Sequence, residues 1–109
     1  MKSGIKGVSA ALRAAVALEK IYHGSPITIT ALSETSGLSV SYLEQIFSRF
    51  RRAGIVRSVR GPGGGYHLEK TDLTVSDIIR AVSGGNAAFL EPVFVALDSV
   101  KISAMGVTA

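Results

Sequence analysis

Between Ser41 and Tyr66 the chain concentrates side chains that bind rather than react. Ser41, Tyr42, Glu44 and Gln45 bring hydroxyls, a carboxylate and a carboxamide within five residues. Arg49, Arg51 and Arg52 follow, and Arg60 opens the stretch Gly61-Pro62-Gly63-Gly64-Gly65. A carboxylate accepts hydrogen bonds, a carboxamide both donates and accepts, and a guanidinium pairs with phosphate in a fixed fork. Together these groups suit recognition of a polar edge flanked by anions. Nothing comparable supports catalysis: no Ser/His/Asp set or carboxylate pair has usable spacing. The chain has no cysteine, which excludes disulfides, thiolate chemistry and cysteine-ligated metal. His23 and His67 lie far apart and read as surface residues, so neither a metal nor a cofactor is expected. The glycines do not form a nucleotide-phosphate loop, because the spacing and lysine of GxxxxGK[ST] are missing and a strand follows.

The distribution of charge agrees with an anionic partner. Residues 39–70 hold six Lys/Arg and two Asp/Glu, whereas residues 71–109 hold two and four. The formal net charge of +4 is therefore concentrated around the glycine stretch. A localised basic surface points to a polyanion.

The elements that must position these residues follow from periodicity. Val8, Ala11, Leu12, Ala15, Leu18 and Tyr22 form one apolar helical face, stopped by Gly24 and Pro26. A short helix with Thr30 as N-cap and Gly37 as C-cap comes next. Ser39 begins a third helix, with a Ser41–Glu44 capping box as the alternative start. Leu43, Ile46, Phe47 and Phe50 turn to the core. Ser41, Glu44, Gln45, Ser48, Arg49 and Arg52 are left on the outer face. Two strands, in "IVRSVR" and "YHLEK", flank the glycines, with Tyr66 packing at their base. A fourth helix has Thr74 as N-cap, Asp77 at N3 and Leu73, Ile78, Ile79 and Val82 inward, and ends at Gly84-Gly85. In a last helix Phe89, Leu90, Val93, Phe94, Leu97 and Val100 share one side, and the tail beyond is weakly patterned.

Two helices joined at a glycine, the second with a polar and basic face, then a further hairpin, make a winged helix-turn-helix. The expected fold is mainly α with a small β-hairpin. Residues 1–84 form the winged-helix domain, and residues 85–109 a short C-terminal dimerisation helix and tail. In such a fold the third helix fits a DNA major groove. Glu44 would accept from a cytosine amino group and Gln45 would pair with adenine. Ser41 and Tyr42 would meet phosphate or a base edge, and Arg49 and Arg52 would hold phosphate. Arg60, with Gly61, Pro62, Gly63 and Gly64 as a pliant wing tip, would enter the minor groove.

"LSVSYLEQIFSRFRRAGIVRSVRGPGGGY", followed by "DIIRAV", resembles the signature of the IscR-like (Rrf) family of bacterial winged-helix transcription regulators, over roughly residues 4–84. That family also includes nitric-oxide sensors and regulators of cysteine metabolism. The resemblance implies a homodimer on operator DNA, with Ser41, Glu44 and Gln45 at the bases and Arg60 and its glycines in the minor groove. Many members carry three cysteines before the dimerisation helix that ligate an iron–sulfur cluster. Here that interval, Ser83 to Ala88, reads "SGGNAA" and holds none. The last helix is also shorter than the family's, and Val8-Ser9 stand where members often have an aromatic residue.

The sequence thus predicts a cytoplasmic, cluster-free, homodimeric regulator of double-stranded DNA, a repressor rather than an enzyme. The N-terminus resembles a signal peptide only until Arg13 and Glu19 interrupt it, and no membrane is expected. An unknown small molecule or protein would be the effector. The competing reading is a winged-helix protein-interaction module without regulated DNA binding.

Overall fold

The computed structural model of the chain describes residues 5–83 and 91–105. Its first helix, α1 (Ile5–Ile21), is rich in alanine, and Ala10, Ala11, Ala14, Ala15, Ala17 and Leu18 are all buried. Small side chains let other helices approach it closely, so α1 is the axis of the core. It contacts α2 (Ile29–Ser36), α3 (Val40–Arg52) and α4 (Val75–Ser83).

The caps explain where the helices begin. Ser39 starts α3, its hydroxyl accepting from the Tyr42 amide at 3.2 Å. Asp77 and Thr74 cap α4 reciprocally: the Thr74 amide donates to Asp77 Oδ2 at 2.9 Å and the Asp77 amide to Thr74 Oγ1 at 3.2 Å. For α2 the expected cap is displaced. Thr28, not Thr30, holds the N-cap, with Oγ1 accepting from the Ala31 amide at 3.1 Å, and Thr30 lies inside the helix. Gly37 closes α2 in the left-handed conformation, at φ 76°. The Arg13 guanidinium reaches from α1 to the Ser36 carbonyl at 2.7 Å and steadies the turn into α3.

Leu43, Ile46, Phe47 and Phe50 of α3 are fully buried. Strands β1 (Val56–Val59) and β2 (Gly65–Leu68) pair antiparallel with Val56 opposite Leu68 and Val59 opposite Gly65. Ile27, before α2, forms an isolated antiparallel bridge with Tyr66 on the outer edge of β2, one pair from the turn.

The C-terminal part departs from expectation. The last apolar run is not one helix. A short α5 (Glu91–Leu97) is followed by a turn and then α6 (Ile102–Met105). Val100 and Ile102 instead make backbone bonds beside the start of α4: Val75 donates to Val100 at 2.9 Å and Ile102 to Leu73 at 2.8 Å. Ile102 is wholly buried where α6 packs on α1, in a tail whose sequence is only weakly patterned. Phe94 is buried too. Its carbonyl accepts from the Ser76 hydroxyl at 2.5 Å, and Arg80 lies 4.8 Å over its ring. Gly84, Gly85, Phe89 and Leu90 lie outside the described residues.

Candidate nucleic-acid interface

With Ser39 as N-cap, Glu44 stands at N5, beyond the reach of a capping box. The alternative start at Ser41 is thereby excluded, and the Glu44 carboxylate serves no cap. Ser41, Glu44, Gln45 and Arg52 are exposed, and with half-buried Ser48 and Arg49 they line one open concavity along α3. The helical repeat brings them together because Leu43, Ile46, Phe47 and Phe50 take the other side.

Two of the expected contacts have further work in the fold. Tyr42 is half-buried and packs against the core instead of joining the concavity. Arg49 donates through Nη1 to the Val82 carbonyl at 3.4 Å, a long bond to the last turn of α4. A cation there is also favoured by the helix dipole. Arg49 therefore braces α3 against α4 while lining the concavity.

The wing tip is a tight turn, not the pliant loop its composition suggests. The Gly64 amide donates to the Gly61 carbonyl at 2.9 Å, Pro62 holds the second position, and Gly63 the third at φ 76°. This is the pattern of a type II turn, in which proline presets one residue and glycine supplies the positive φ of the next. A Cβ on Gly64 would lie 2.3 Å from the Val59 carbonyl oxygen, and one on Gly65 2.3 Å from that of Ile27. The glycines are there for closeness as much as freedom. Arg60 is exposed immediately before the turn, and Gly61, Pro62 and Gly63 are exposed in it.

Tyr66 packs inward as expected, its ring 4.8 Å from that of Phe47, but it stands one pair from the turn and not at the foot of the strands. His67 is not a bare surface residue: its Nδ1 and the Tyr22 hydroxyl are 2.5 Å apart. Arg57, also missed as a candidate, is exposed on β1 and ion-pairs with Glu69. Strand alternation from buried Val56 would have pointed Arg57 outward.

Solved structures similar to this chain include transcription regulators. The chain matches an IscR of T. potens at TM-score 0.73 and 32% identity, covering 96% of this chain and 85% of that one. It matches CymR, the global cysteine regulator of B. subtilis, at TM-score 0.74 and 29% identity, covering 97% and 96%. Among curated proteins, the HTH-type transcriptional regulator IscR of Vibrio atlanticus is 55% identical over 60 residues, which are 53% of this chain and 35% of that protein. The match thus spans about a third of that relative's length. The Rrf2 family model, described as iron-dependent transcriptional regulator, matches residues 5–104. The residues present do not fit iron: the chain has no cysteine, and no group of three or more His, Asp or Glu among the described residues could hold a metal ion. The polar face of α3, the wing and the match along residues 5–104 lead to one assignment: the chain belongs to the Rrf2 family of transcriptional regulators.

Proposed function

We propose that this chain binds double-stranded DNA as a sequence-reading regulator in the cytoplasm, acting as a repressor through occupancy of its operator. The observation that carries the reading is the outer face of α3, where Ser41, Glu44 and Gln45 stand exposed beside Arg49 and Arg52. An α-helix fits the major groove, where each base pair shows a distinct set of donors and acceptors. Glu44 and Gln45 supply the complementary groups, and Arg52 with Arg49 meets the flanking phosphates. Arg60, carried on a closed turn, enters the adjacent minor groove. No iron step is part of this reading.

The protein acts as a homodimer through the outward side of α5 and the segment after it. Val93, Val95, Val100 and Met105 are exposed there. Phe94 and Leu97, expected in the same interface, face the chain's own core. Two copies would read half-sites about one helical turn apart, ~34 Å.

Selection of bound sequences from a random duplex library tests this. An enriched inverted repeat is expected. No enrichment, together with no binding of mixed-sequence duplex at low salt, would overturn it.

A further inference from the structure

The second strand of the wing is held against the helical body at Tyr66 and His67, the middle pairs of the hairpin. Ile27 and Tyr66 exchange both backbone hydrogen bonds, at 2.9 and 2.8 Å. The Tyr66 ring lies against Phe47 of α3. The third contact comes from α1. Tyr22, one residue past that helix, bonds through its hydroxyl to His67 Nδ1 at 2.5 Å, and the two rings lie 5.4 Å apart, tilted by 57°. Successive residues of a strand point to opposite faces. Tyr66 and His67 are therefore gripped from opposite sides, one by α3 and the other by α1. Among the described residues, Tyr22–His67 is the one side-chain hydrogen bond between the hairpin strands and the helical body. Tyr22 and His67 are 45 positions apart, so the bond ties the end of α1 directly to the wing.

We infer that the Tyr22–His67 pair is a positioning clamp that sets the tilt of the wing, and hence the place of Arg60 relative to α3. The inference rests on the DNA-binding reading above. Its mechanics are those of a short lever. Each strand has four residues. Gly64 at the turn therefore lies about 10 Å beyond His67, and a tilt of about 10° there moves the tip by about 2 Å. Hydrogen-bond geometry does not tolerate such a displacement. The clamp works in either tautomer, since Nδ1 accepts the tyrosine proton when bare and donates to the tyrosine oxygen when protonated. Arg57, directly across from His67, is engaged by Glu69 and leaves the ring to Tyr22. Neither member of the pair needs to touch DNA, which makes both positioning residues.

Tyr22→Phe is the cleanest test, because it removes the hydroxyl and keeps the ring. Its affinity for mixed-sequence duplex and for any selected duplex should fall about three- to tenfold, the range one lost hydrogen bond produces. The slope of log affinity against log salt should not change, because no phosphate contact is lost. Exchange of the Gly64 and Tyr66 amides in the free protein should quicken. His67→Leu should match Tyr22→Phe, the double variant should be no worse than either, and His67→Gln should recover most of the loss. Unchanged affinity in Tyr22→Phe would overturn the clamp. So would a slope smaller by about one unit per bound copy in His67→Leu, which would make His67 a phosphate ligand. A wild-type protein that bound neither duplex would sink the DNA reading instead. The exchange measurement needs no DNA, and unchanged exchange would then refute the clamp on its own.

Discussion

Arg60 sits directly before a turn with little conformational slack, and that determines how it can act. A guanidinium on a floppy loop gives up much of its binding free energy to ordering, whereas one on a closed turn has less to lose. Arg60→Ala should weaken duplex binding and reduce the salt slope by about one unit per bound copy. An unchanged slope in a salt titration would take Arg60 out of the groove. Gly64→Ala tests the turn itself. The new methyl would meet the Val59 carbonyl oxygen, so the tip must open and affinity should fall even though Arg60 is intact. Normal binding by that variant would show that tip geometry is irrelevant. Glu44 makes the complementary case. Because Ser39 is the cap, Glu44→Ala should leave thermal stability unchanged and relax preference at one base pair by about 1–3 kcal/mol. A lower melting temperature with unchanged preference would restore a structural role for the carboxylate.

Element boundaries show which parts of the fold could be read locally. The inward face of α3 and its cap, the Thr74–Asp77 box and the hairpin are all set by residues within a few positions of one another. The N-cap of α2 is not. "ITIT" offers two threonines, and the choice falls on Thr28 because Ile27 is drawn into the bridge with Tyr66, 39 positions away. Thr28→Ala should therefore cost about 1 kcal/mol in denaturant unfolding, with Thr30→Ala close to neutral. The reverse order would return the cap to Thr30. The same logic hid the Tyr22–His67 contact, whose partners meet only when the wing has docked. It also hid the role of the tail. Ile102 finds its burial against α1, near the other end of the chain, and no period around it announces this. Composition misled once: four glycines and a proline suggested slackness, but their order is that of a tight turn.

At the scale of the molecule, the C-terminal segment divides its apolar residues between two duties. Phe94, Leu97 and Ile102 close the chain's own core, helped by the Ser76 hydroxyl and by the Arg80–Asp98 ion pair at 3.2 Å. Val93 and Val95 remain 49% and 65% exposed. Exposed apolar side chains such as these are what a second copy of the chain would cover, and twofold symmetry would bring the same segment of each copy together. This separation makes association testable without disturbing the fold. Val95→Asp changes a side chain that the monomer does not bury, so unfolding at fixed low concentration should be little altered. The dimer, in contrast, would have to bury two unpaired carboxylates, a heavy cost in an apolar interface. Sedimentation should then move the mass from twice 11.4 kDa to 11.4 kDa. In the selection experiment the enriched inverted repeat should shrink to one half-site, and the salt slope should fall by about half as one copy's phosphate contacts are lost. A Val95→Asp protein that remained dimeric would place the interface elsewhere, and a monomeric wild type would leave α5 as a core element alone.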